Sequence, residues 1–156
     1  MTKPDERRAL RAAARFYAVQ ALFQMESSGQ TVEQVRREFE THRIGAEGED
    51  ESWVEADIGL FRKLIEMAVD QQAAIDQMTD RALVAKWPIA RIDPTLRALF
   101  RAAGAELIET TTPPRVIITE FVQLAQAFFP EGRESKFVNA VLDHMAREAR
   151  PEAFSG

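Results

Sequence analysis

The chain has 156 residues, 46% of them hydrophobic and 29% charged, which sets the scale at one domain or two small subdomains sharing a core and excludes an intrinsically disordered chain. It contains no cysteine, which excludes disulfides, thiolate metal sites and a catalytic thiol, and no stretch approaches the roughly 20 apolar residues of a membrane span. The net charge of −5 and pI of about 5.2 would also disfavour a nucleic-acid partner if charge were evenly spread, because cationic surface supplies most phosphate affinity.

It is not evenly spread. Residues 1–15 carry Lys3, Arg7, Arg8, Arg11 and Arg15 against only Asp5 and Glu6, whereas residues 47–57 carry six carboxylates and no cation. A local basic patch on an acidic protein is therefore expected. The same N-terminal stretch lacks an uninterrupted apolar signal region, and the expected compartment is the cytoplasm.

The first helix is expected from Asp5 to Met25. Leu10, Ala14, Tyr17 and Ala21 form one apolar stripe, and Phe16, Val19 and Phe23 form a second, so its later half should be buried on two sides. At 100° per residue, Arg7, Arg11, Arg15 and Arg8 fall at about 0°, 40°, 80° and 100° on one side of its start. Such a stripe can follow a phosphate backbone, and guanidinium planes can stack on unpaired bases. The competing reading is a solvated, salt-bridged face. Against it, a helix N-terminus is the unfavourable dipole end for arginine.

Gly29 is expected to end this helix. Thr31 and Gln34 fit a capping box opening a short helix to His42. An acidic loop, 43–51, follows. Ser52-Trp53-Val54-Glu55 fits a second capping box, expected to open one long helix reaching Met78 or Thr79. A short helical turn, about Asp80 to Lys86, leads to Trp87-Pro88. Asp93-Pro94 supplies an N-cap and a proline at the first helical position, with Leu96, Leu99, Phe100, Ala103 and Leu107 facing inward. Thr110–Pro113 is a loop. Pro114 opens a helix ending at Phe129-Pro130, and the last helix starts near Ser135 with Phe137, Val138, Val141, Leu142 and Met145 as its apolar set. About seven helices without a strand signal predict an all-α bundle.

No constellation for catalysis stands out, so an enzyme is not expected. Three residues before His42 and His144 stand Phe39 and Val141, not the glutamates a di-metal helical bundle needs. His42 with Glu38 and His144 with Glu148 are ordinary surface pairs, and Asp70, Asp76 and Asp80 read as solvated charge. There is no Gly-rich phosphate loop and no nucleophile elbow. No metal or cofactor is expected. A second candidate binding element is Arg133-Glu134-Ser135-Lys136-Phe137-Val138-Asn139, where cations and an aromatic at a helix start could pair a phosphate contact with base stacking. Taken alone, Phe137 is more often a core residue.

Three blocks in order resemble the NusB family of bacterial transcription antitermination factors: 15–23 (RFYAVQALF), 99–107 followed by 113–120 (PPRVIITE), and 136–143 (KFVNAVLD). The resemblance spans nearly the whole chain. It implies one domain over 1–156, with an N-terminal helical subdomain (about 1–80), a C-terminal one (about 81–150) and a loose tail (151–156). It implies binding of boxA single-stranded RNA together with NusE, a small-subunit ribosomal protein. It also implies assembly with other Nus factors on RNA polymerase in support of ribosomal RNA transcription. Carried over by residue, it places Arg11 and Arg15 on RNA, with Lys136 and Phe137 as a second contact. Lys3, Arg7 and Arg8 follow as further contacts, and Phe23 lies on the partner surface.

There are departures. Arg11 is followed by Ala12-Ala13-Ala14 where the family often continues with arginine. Phe23 stands where tyrosine is commoner. Arg133 stands where some members have an acidic residue, which should raise phosphate affinity. The alternatives are a scaffold of this fold without RNA binding, and an accessory module for ribosomal RNA modification. Monomer and homodimer both remain open.

Overall fold

The computed structural model describes residues 3–46, 54–83, 89–132 and 134–155. Among them, seven α-helices and no strand are found: α1 Pro4–Ser28, α2 Val32–His42, α3 Ile58–Asp70, α4 Gln72–Ala82, α5 Pro94–Glu109, α6 Pro114–Phe128 and α7 Ser135–Ala149. Short 3-10 turns occupy Ile89–Arg91 and Pro151–Ala153. The all-α bundle expected from the periodicity is what forms.

Most boundaries follow local chemistry. Gly29 ends α1 at φ 75°, a left-handed conformation that glycine adopts without a Cβ clash, and its N–H donates to Met25 O at 2.9 Å. Gln34 N donates to Thr31 Oγ1 while Thr31 N donates to Gln34 Oε1, completing the capping box of α2. Asp93 Oδ1 accepts from Thr95 N at 2.7 Å and Leu96 N at 3.4 Å, with Pro94 opening α5.

Three boundaries differ from the sequence reading. Helix α4 runs on to Ala82, through the Asp80 where a separate turn was expected to begin, and residues 84–88, with Trp87-Pro88, lie outside the described residues. Ser52 and Trp53 lie outside the described residues, but Val54–Asp57 is not helical and α3 begins only at Ile58, capped by Asp57 Oδ1 on Leu60 N at 3.0 Å. Tertiary contacts hold the preceding segment out of the helix. Tyr17 Oη donates to Val54 O at 2.7 Å, Gly45 N donates to the same carbonyl at 3.1 Å, and Asp57 N donates to Leu10 O at 3.0 Å. The long helix is also two, broken at Gln71. The break turns Ile75 onto α5, where Gly104 receives it. A Cβ on Gly104 would lie 2.5 Å from Ile75 Cγ2.

Helix α1 packs chiefly along α5 and α3, and α5 in turn carries α6, α4 and α7. Arg15 meets Glu106 and Glu26 meets Arg97 and Arg101, so α1 and α5 run antiparallel. Small buried residues recur on both helices: Ala14, Ala18 and Ala21 on α1, and Ala98, Ala102 and Ala105 on α5. The buried cluster is continuous and draws on every helix, from Phe39 and Phe61 to Phe100, Phe121 and Leu142. Helices from the 1–80 and 81–150 stretches therefore share one core. Residues 151–155 differ from the loose tail expected: Pro151–Ala153 makes its 3-10 turn and the Arg147 guanidinium lies 4.6 Å from the Phe154 ring centroid.

Candidate nucleic-acid interface

The first two turns of α1 project beyond its buried half. Lys3, Arg7, Arg8 and Arg11 are exposed, whereas Ala14 onward is largely enclosed. Arg8 Nε donates to Glu120 Oε1 at 3.3 Å, yet the Arg8 side chain stays 66% exposed. Arg11 has no ion-pair or hydrogen-bonding partner among the described residues.

Beside them runs an open cleft of about 790 Å³. Helix α1 supplies one wall with Arg8, Arg11 and the edge of Arg15. The other wall is the loop Thr111–Pro113 and the first turns of α6, including Arg115 and Thr119. Arg115 was not singled out in the sequence as a site residue. Its only signal there was a cation just inside a helix opened by Pro113-Pro114. A second arginine builds this wall from behind. Arg150 donates to Leu107 O (2.8 Å), Thr112 O (2.7 Å), Thr110 O (2.6 Å) and Glu106 O (3.2 Å). It thereby satisfies the last carbonyls of α5 and fixes the course of the loop.

Arg15 requires a correction. It was expected to touch RNA, but its side chain is 2% exposed and forms a two-point pair with the fully buried Glu106: Nε to Oε1 at 2.8 Å and Nη2 to Oε2 at 2.7 Å. The wheel placed Arg15 near Arg11 correctly. It could not show that α5 covers the third turn of that face. Arg15 joins α1 to α5 and offers no free guanidinium.

The second candidate element starts α7. Lys136 is exposed, and Phe137 is 36% exposed with its ring edge-on to Phe100 at a centroid distance of 6.1 Å. Phe137 is therefore half in the core and half available. Val138, Val141, Leu142 and Met145 carry the buried side of α7. Arg133 lies outside the described residues. The α7 start follows the far end of α6, a helix about 22 Å long at 1.5 Å per residue. The two cationic elements thus sit toward opposite ends of α6.

Phe23 lies on the C-terminal half of α1, 39% exposed, beside a smaller cleft of about 470 Å³ that Gln20 and Phe128 also line. Phe128 is held by stacking on Phe16 at 5.2 Å. Gln20 Oε1 is buried there without a hydrogen-bond donor among the described residues. Deeper along α1, burial and then the Glu55 carboxylate push the Tyr17 phenol up, keeping it protonated as the donor that pins Val54. No helix among the described residues is long and apolar enough to cross a membrane.

The model of the NusB family matches residues 12–147. The chain belongs to the NusB family. The transcription antitermination protein NusB of Maricaulis maris is 48% identical over 153 residues, covering 97% of this chain and 95% of that one. The NusB of Agrobacterium fabrum is 44% identical over 144 residues, 92% of this chain and 87% of the relative. Among solved structures, T. maritima NusB superposes with a TM-score of 0.75 at 28% identity over 99% of both chains. The NusB-fold chain solved with NusE and double-stranded RNA gives 0.70 at 24% identity over 90% of this chain and 98% of that one. The helical order described above is thus the NusB fold.

Proposed function

We infer that this chain is a transcription antitermination factor that binds boxA single-stranded RNA together with NusE and supports ribosomal RNA transcription in the cytoplasm. In this reading it joins other Nus factors on RNA polymerase and acts by binding rather than by catalysis. The antitermination role of the M. maris and A. fabrum relatives supports the first part. The complex of a structural neighbour with NusE and RNA supports the partners.

The observation that carries the RNA reading is the cationic cleft on a chain of net charge −5. Exposed arginines at the unfavourable end of a helix dipole, one of them unpaired, cost stability unless an anion answers them. Lys3, Arg7, Arg8 and Arg11 are assigned to phosphates or bases of the RNA. Lys136 and Phe137 form the second contact, a cation for the backbone and half an aromatic face for stacking. Arg133, three residues before Lys136 in the sequence, adds charge to this segment, and Arg133→Asp should lower both affinity and salt slope. Phe23, with the cleft beside it, is assigned to the protein partner.

The test is fluorescence anisotropy of a labelled boxA-like single-stranded RNA, with and without NusE, for wild type, Arg11→Ala and Phe137→Ala. Binding should tighten with NusE and fall by about tenfold, or about 1.4 kcal/mol, in each variant. No binding by wild type even with NusE would remove the RNA function and leave a protein scaffold of the same fold.

A further inference from the structure

We propose that Arg115, with the hydroxyls of Thr111 and Thr112, forms a second jaw facing Arg11, and that the two jaws clamp one phosphodiester of a single-stranded RNA. This rests on the RNA reading above and extends it to a wall of the cleft that the N-terminal arginines do not reach. Arg115 is exposed, lines the cleft opposite α1, and has no ion-pair or hydrogen-bonding partner among the described residues. Arg11 shares both properties. By contrast Arg8 is held by Glu120, Arg15 by Glu106 and Arg101 by Asp76. Two guanidiniums without a protein partner among the described residues therefore line one cleft of about 790 Å³.

The surroundings favour an anion at this end of the cleft. Arg115 sits in the first turn of α6, where the unsatisfied N–H groups and the helix dipole already present positive potential. Placing a further cation there raises that potential, and a bound phosphate lowers it. Thr111 and Thr112 add hydroxyl donors from the loop that Arg150 fixes through Thr110 O and Thr112 O. The one carboxylate in the cleft, Glu120, is one to two turns further along α6 and is occupied by Arg8. It directs the phosphate toward the Thr111–Arg115 end. Guanidinium forks match phosphate oxygens in pairs, so two of them on opposite sides can hold one phosphodiester without reading its base.

The test compares Arg115→Ala with Arg91→Ala, an equal change of charge on the 3-10 turn before α5, at the other end of that helix. Binding of the labelled single-stranded RNA with NusE is measured across a salt series. Losing one phosphate contact should lower the slope of log affinity against log salt by about 0.7, which corresponds to about fivefold weaker binding at 0.1 M salt. Arg115→Lys should keep the slope, and Arg91→Ala should change neither quantity. The melting temperature of Arg115→Ala should stay level or rise, because a cation leaves the N-terminus of α6. A merely structural arginine would lower it. The clamp is overturned if Arg115→Ala behaves like Arg91→Ala while Arg11→Ala still weakens binding. A wild type that binds no RNA sinks the RNA reading and the clamp with it.

Discussion

Arg11 and Arg15 lie one turn apart on the same side of α1 and meet opposite environments. Arg11 faces the open cleft and Arg15 is sealed under α5 against Glu106. The desolvation cost of that buried pair is large, and its net worth against an apolar pair is small. Removing one partner is different, because it strands the other charge in the core. Arg15→Ala and Glu106→Ala should each cost about 3–5 kcal/mol, read from the shift in urea midpoint. The double variant Arg15→Met/Glu106→Leu should recover most of that loss. If Arg15→Ala left the midpoint in place while abolishing RNA binding, the structural assignment of Arg15 would be wrong. RNA-binding experiments on this chain should therefore alter Arg11 without Arg15.

At the scale of elements, α1 is tied to α5 at both ends of their contact. Near the α1 C-terminus, Glu26 pairs with Arg97, and its Oε2 also accepts from Arg101 Nη1 at 3.1 Å; Arg101 Nη2 reaches Asp76 Oδ2 of α4 at 2.8 Å. The hydrogen bond from Arg97 holds the Glu26 carboxyl below the usual carboxylate range, against the opposing effect of burial. A lowered folded-state value contributes stability that is present above the unfolded value of about 4.3 and is lost as pH falls through the folded value. Glu26→Gln should narrow the difference in urea midpoint between pH 7 and pH 3. An unchanged difference would show that this network carries no acid sensitivity. Where α4 meets α5, Gly104→Ala gains up to about 1 kcal/mol of helix propensity. It also drives a methyl into the stiff, buried Ile75 side chain, an overpacking cost of about 1–3 kcal/mol. A net loss of stability is expected by thermal melting, and a stabilised Gly104→Ala would mean that α4 can shift away from α5 at little cost.

At the scale of the molecule, the C-terminus builds the site begun by the N-terminus. Arg150, just past α7, holds the Thr110–Pro113 loop that forms the far wall of the cleft opened by Arg8 and Arg11. Arg150→Ala should weaken RNA binding by a few-fold and lower stability by about 1.5–3 kcal/mol, the usual range for charge-assisted hydrogen bonds. A drop in stability with RNA affinity intact would show that the loop keeps its course without Arg150. The charge separation along the chain has the same global character. Net charge describes the whole surface, but a phosphate in the cleft responds to the arginines within about 10 Å of it.

The helices, most of their caps and the inward faces of α5 and α7 were legible in the sequence. They depend on a 3.6-residue period and on capping side chains within four residues, as at Thr31–Gln34 and Asp93–Pro94. The basic face of α1 was legible for the same reason. The break at Gln71 was not, because no glycine or proline marks it. The late start of α3 was not, because Tyr17 and Leu10, some forty residues upstream, hydrogen-bond Val54 and Asp57 outside the helix. Nor could sequence separate Arg11 from Arg15, or place Arg115 opposite Arg11. A side chain's position on its own helix is local, whereas its burial and its partners depend on which other helix lies over it. By itself, then, the sequence determined the family, the helical class and the basic character of the first helix. Tertiary packing alone decided which cations are buried as struts and which are left facing the cleft.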